Sequence, residues 1–282
     1  MCVENNEEFG RLLLHTEVRW LSKGSCFKRF YSLFDTVVQF LQEYKCRDLS
    51  DDLLACKTDI AYLTDLFCIF NDLNLQLQGD DISLIEAKSK ICNFMKKLRF
   101  FRENIGCWNL SHFPTLKLQI ADTDTSIVDD DLLIYCDHLK SLLENMIERY
   151  QDLINMEIPN WVLNTFTYVC GSNIILVIQE DLIAVKNDFE LKPLFKKSYA
   201  DFWLQKEIPE RYPNLWEAIK LYFLAFPSSY MAERGFSAVS KLLTNQRNRL
   251  QIVKRGDMRI LLSHIDPRVS ELVSKHQCHP SH

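Results

Sequence analysis

The chain has 282 residues, 47% of them hydrophobic and 25% charged, with a net charge of −5 and a pI of about 5.8. That length gives one or two domains with ample core, and the composition is ordinary for a globular chain. The acidic balance excludes a polycation that would coat nucleic acid with its whole surface, and no run of about eighteen apolar residues is present to span a membrane.

The acidic, polar start MCVENNEEFG is neither a secretory signal nor a mitochondrial presequence. Apolar spacing then predicts a series of helices. Phe27, Phe30, Phe34, Val37 and Leu41 mark one over about 25–44. Leu53, Ile60, Leu63, Phe67, Phe70, Leu73 and Leu77 mark a longer one, stopped by Gly79. Ile85, Ile91, Met95, Leu98 and Ile105 mark a third, stopped by Gly106. Residues 107–126, with Pro114 and a polar tract, read as a connection. The five aspartates within 122–131 read as an exposed loop. Leu132, Leu139, Leu142, Met146 and Tyr150 form a fourth stripe. From 153 to 193 the pattern weakens, and 174–178 fits a short strand or a buried helix equally well. Helices return at about 194–204, 213–226 and 256–264. Nowhere does period-two alternation run long enough to require a sheet, which predicts an all-α chain with well under a tenth of its residues in strands. Ten cysteines, none paired as C-x-x-C and most within apolar runs, predict buried reduced thiols in an intracellular protein.

The most informative segment is 226–250, FPSSYMAERGFSAVSKLLTNQRNRL. Ala232, Phe236, Val239 and Leu243 recur at spacings of one helical stripe. Ser228 or Ser229 can cap the first amides, and Glu233 falls in the first turn, where the helix dipole favours a carboxylate. Between 234 and 259 stand seven basic residues, Arg234, Lys241, Arg247, Arg249, Lys254, Arg255 and Arg259, against Asp257. Such a run is either a solvated helix face or a local phosphate footprint.

This segment resembles the C-terminal signature of hAT-superfamily transposases, with the core reading Ala232-Glu233-Arg234-Gly235-Phe236-Ser237. LLLHTEVRWLSKG at 12–24 resembles the segment that follows the second catalytic aspartate in that family. YLTDLFCIFNDLNLQLQG at 62–79 and SKHQCHPSH at 274–282 resemble parts of its domesticated BED-finger and SCAN-domain relatives. The resemblance implies a helical insertion region at 1–152, a connecting segment at 153–193 and a C-terminal dimerisation region at 194–282. It also implies that the last helices belong to an RNase H-like fold truncated at its N-terminus.

In the family, Glu233 would be the third acid of an Asp-Asp-Glu metal site. The two aspartates would lie upstream of the segment matched by 12–24, so Glu233 is expected to be a remnant beside no metal and no cofactor. Strand transfer needs several converging carboxylates, so no enzyme activity is expected. Trp20 reads either as a core aromatic or, by resemblance, as a residue stacking on an exposed DNA base. Arg247, Arg249, Lys254 and Arg255 are the expected phosphate contacts. Trp203, Trp216, Phe223, Phe226 and Phe236 are the expected dimerisation residues, with Leu242 beside them, though all could be consumed by the intrachain core. His276, Cys278, His279 and His282 match no standard zinc spacing and read as a solvated tail.

Three functional readings follow. The preferred one is a domesticated, catalytically incomplete module in the nucleus that forms a homodimer and touches DNA weakly. The second is a helical protein-interaction scaffold, or a degenerate relic, with no nucleic-acid role; the expected location is the nucleus, with the cytoplasm as the alternative. The third, an active transposase, ranks last because two of three metal-binding acids are missing.

Overall fold

Every regular element among the described residues is an α-helix. The computed structural model describes residues 21–79, 82–121, 128–169, 175–225, 230–243, 257–262 and 268–270. It divides into two units, Met1–Ala225 and Phe226–His282.

The first unit opens with α1 (Leu21–Ser32) and α2 (Phe34–Glu43) in place of the single helix expected over 25–44. The break is at the buried Leu33. A second break, at Cys56, separates α3 (Arg47–Ala55) from α4 (Lys57–Leu77). Apolar periodicity runs on through both breaks because it reports which face is apolar, not whether the axis is straight. α1 lies along α4, and the crossing is close at Gly24. A Cβ there would stand 2.1 Å from Asn71 Nδ2 and 3.1 Å from the Phe67 carbonyl oxygen. Beside it the Phe27 and Phe67 rings stack at 4.9 Å.

α5 (Leu84–Gly106) starts on Ser83, whose hydroxyl accepts the Glu86 N–H at 3.2 Å, a helix cap of ordinary type. Its inner stripe, Ile91, Phe94, Met95, Leu98, Phe101 and Ile105, meets Tyr62 and Leu66 of α4. Across from it lie Leu132, Tyr135, Leu139 and Met146 of α7 (Val128–Arg149). Between α5 and α7 the connection expected over 107–126 contains a helix, α6 (Pro114–Ala121), which plugs this core with Leu116 and Ile120. Proline marks a helix start here rather than a break: at the first helical position its missing N–H has no partner to lose. The loop expected over 122–131 is likewise helical at its end. Asp129, Asp130 and Asp131 occupy the first turn of α7, where the helix dipole favours carboxylates.

The remaining helices of this unit are α8 (Gln151–Asn155), α9 (Asn160–Leu163), α10 (Leu176–Lys186), α11 (Leu191–Lys197), α12 (Tyr199–Trp203), α13 (Glu207–Arg211) and α14 (Pro213–Leu224). They build a second core from Trp161, Val162, Leu182, Val185, Phe202, Trp203, Leu215 and Ile219. Trp203 is wholly buried, sets its ring edge-on to Trp161, and donates Nε1–H to the Val162 carbonyl at 2.9 Å. Residues 176–178, where strand and helix were equally expected, are helical in α10; residue 174 lies outside the described residues. Lys88 of α5 ties down the end of α8, donating to the carbonyls of Ile154 and Met156 at 2.6 Å each.

α2 and α5 end in the same way. The Cys46 N–H reaches the Leu41 carbonyl and the Lys45 N–H that of Gln42. Likewise, the Asn109 N–H reaches the Asn104 carbonyl and the Trp108 N–H that of Ile105. This closure requires a left-handed residue just past the helix, a position that favours glycine. Here Lys45 (φ 61°) and Trp108 (φ 60°) occupy it.

The second unit contributes α15 (Tyr230–Leu242) and α16 (Asp257–Leu262), which pack on each other.

Candidate functional site

The signature segment forms a helix as expected, but its inner face differs from the expected one. Ala238 is the buried residue of α15, with Arg234, Gly235, Val239, Leu242 and Leu243 partly covered. Ala232 is exposed and Phe236 is 73% exposed. The covered side is thus the one carrying Ala238 and Val239, and the larger Phe236 side turns outward. Glu233 sits exposed in the first turn and Lys241 in the last, each at the end its charge suits. Among the described residues no group of three or more His, Cys, Asp or Glu is arranged to hold a metal ion.

Four of the expected DNA contacts, Arg247, Arg249, Lys254 and Arg255, lie outside the described residues, as do Trp20, Phe226 and the histidine tail. Of the expected dimerisation residues, Trp203 belongs entirely to the second core, and Trp216 and Phe223 pack half-buried against it. These three pack in the fold, and Phe236 is the exposed member of the set among the described residues. Other apolar side chains are exposed close in sequence to them: Leu221 and Leu224 on α14, and Ile183 on α10, the helix α14 packs against.

The polar groups inside the first unit are structural. Asp65 of α4 is 6% exposed, and its Oδ2 accepts the N–H groups of Thr115 at 2.9 Å and Leu116 at 3.0 Å. It thereby caps α6 from another helix. Burial pushes its carboxyl up, and the Thr115 and Leu116 donors offset this only in part. Tyr62 and Tyr135 stack at 4.2 Å. The Tyr62 hydroxyl is 3.0 Å from His138 Nδ1, and Tyr135 donates to Asp59 at 2.7 Å. Burial raises both phenols well above their ordinary value, helped by Cys136 at Tyr62 and by Asp59 at Tyr135. Asp188 is the opposite case. Burial alone would raise its carboxyl, but the Leu191 and Glu190 amides, Arg211 at 2.7 Å and the Tyr212 hydroxyl hold it below the ordinary value.

One basic face escapes a reading by motif. Residues 88–102 carry six cations, Lys88, Lys90, Lys96, Lys97, Arg99 and Arg102, with no carboxylate among them. Lys88 and Lys90 are spent on backbone carbonyls, while Lys96, Lys97 and Arg99 are exposed. The run of charge is visible in the sequence. Which cations face water is not.

Residues 1–106 match the family model of the FAM200/GTF2IRD2 helical domain. This part of the chain is thus similar to a transposase-derived, domesticated family. The matched region ends on the last residue of α5, so it holds α4 and α5 of the first core but not α6 or α7. No solved structure matches the chain.

Proposed function

We propose that this chain is a domesticated, catalytically incomplete derivative of a hAT transposase that acts in the nucleus as a dimerisation and interaction module, with a weak, sequence-independent grip on DNA. The carrying observation is the agreement of two separate parts of one chain. Residues 1–106 match a helical domain of transposase-derived proteins. Far downstream, 232–237 reads as the hAT signature on a helix. In this reading α15 and α16 descend from the terminal helices of an RNase H-like fold. On the same reading Glu233 is a remnant of the family's metal site, and this chain alone is expected not to cleave strands. Phe236, exposed on the signature helix, is the apolar side chain best placed to meet a second copy.

Sedimentation velocity of the full chain at micromolar concentration tests this. A species of about twice 33.2 kDa is expected, reduced to monomer by Phe236→Glu with the helical circular dichroism unchanged. A parent chain that sediments only as monomer removes the dimerisation reading. DNA binding is tested by its salt dependence on duplex. Replacing Arg247, Arg249 and Arg255 with Ala should flatten the log–log slope by roughly 0.9 for each phosphate no longer neutralised. The net charge of −5 favours a second reading, a scaffold that binds only proteins, and a slope unchanged in that variant would select it.

A further inference from the structure

We propose that the outer face at the C-terminal end of α5 binds single-stranded nucleic acid, with Lys96, Lys97 and Arg99 on phosphates and Phe100 and Trp108 offering their rings to bases. This goes beyond the DNA grip assigned to 234–259 and involves none of its residues. Lys96 and Lys97 stand four and three residues before Phe100, so all three share one stretch of helix surface. Phe100 is 50% exposed, although the inner stripe of the same helix is fully packed. The His112 ring lies 5.5 Å from Phe100 and 4.9 Å from Phe101, which extends the aromatic surface past the helix end. Trp108, 48% exposed, follows directly in the left-handed position of the helix stop. Glycine would sit there without strain, yet the position carries a large ring about half of which faces water. A sparsely populated backbone conformation retained at an exposed aromatic is grounds for a functional role.

The chemistry selects the partner. Cations alone would suit duplex DNA or an acidic protein equally. Exposed rings beside cations suit unpaired bases, because every base has a face on which to stack and a duplex hides it. After Glu86, Glu103 is the one carboxylate within α5, exposed near its C-terminal end.

Fluorescence anisotropy of a labelled twenty-nucleotide oligo-dT with the full chain tests this. Trp108→Gly is expected to weaken binding on the order of tenfold, the effect of removing one stacked base, while the thermal midpoint holds or rises. Changing Lys96, Lys97 and Arg99 to Ala is expected to reduce the log–log salt slope by about 2, at roughly 0.7 per neutralised phosphate on a single strand. No binding by the parent chain at low salt overturns the proposal. So does parental affinity in both variants, and so does weakening confined to the Arg247/Arg249/Arg255 variant, which would leave the function proposed above standing. A poly-glutamate peptide forms the last arm. If it binds the parent and binds the lysine–arginine variant more weakly, while oligo-dT binding ignores Trp108→Gly, the face takes an acidic protein and the nucleic-acid assignment falls.

Discussion

Asp65 shows how one residue can serve two helices. It belongs to α4 by sequence, yet its carboxylate supplies the acceptor that the first turn of α6 lacks. Helix starts leave amides unpaired, and a buried start needs a partner. Asp65→Ala would orphan the buried Leu116 N–H and the partly buried Thr115 N–H and is expected to destabilise the first unit by about 1–3 kcal/mol in urea titration. Asp65→Asn keeps an oxygen acceptor and removes a charge that burial disfavours, since burial raises this carboxyl. It is therefore expected to cost well under half as much at neutral pH. Equal destabilisation in the two variants would show that the charge, not the acceptor, holds α6. Nothing in the sequence around Asp65 announces this role, because its partners lie 50 and 51 residues away.

Glycine separates two situations at the level of the element. In the α1–α4 crossing, a methyl group at Gly24 would clash with the Asn71 side chain and press on the Phe67 carbonyl oxygen at 3.1 Å. Asn71 can swing aside, but the backbone oxygen cannot without moving α4. Gly24→Ala is expected to cost about 1–3 kcal/mol through overpacking, measured as a shift of the denaturation midpoint without a change in slope. Gly235, inside α15, has nothing within 4 Å of where its Cβ would stand. Gly235→Ala is therefore expected to stabilise that helix by up to about 1 kcal/mol, the propensity difference. Hydrogen exchange in the second unit would detect it as slower exchange along α15. Weaker protection instead would mean that a partner comes close to the helix at that point. Sequence rules stop helices at Gly79 and Gly106, and both stops agree with the structure. They do not mark Gly24 as a packing residue, because that depends on which helix lies opposite.

At the level of the whole molecule, the first core is bound to its tyrosines. Tyr62 and Tyr135 keep their protons in the folded chain to higher pH than in the unfolded chain, where tyrosine titrates near 10. Their contribution is complete below about pH 10 and is lost as pH rises beyond it. From neutral pH upward, unfolding midpoints are expected to fall most steeply once pH passes about 10. A smaller decline precedes this, from the partly buried Cys68 and Cys136 thiols, which burial also raises. Absorbance at 295 nm should show a tyrosinate fraction that appears together with the loss of helicity. A full tyrosinate yield with native helicity intact would show that both rings reach solvent. Asp188, held below the usual carboxylate range by the amides, Arg211 and Tyr212 around it, gives the opposite acid-side behaviour in the second core. Its contribution is present at neutral pH and fades as pH falls through the carboxylate range.

The sequence by itself determined the class of this fold and most of its apolar faces, because helical periodicity is a local property that a few turns of chain carry in full. It also singled out 226–250 as a helical stripe followed by a run of basic residues. Tertiary structure decided the rest. It broke the first two expected helices at Leu33 and Cys56, turned Pro114 from a breaker into a helix start, and consumed Trp203 in a core where composition alone would have allowed an interface. It also sorted the cations of α5 into those spent on carbonyls and those left to water. Each of these depends on which groups meet across large separations in the chain, and pattern along the chain does not encode the identity of a neighbour across the core.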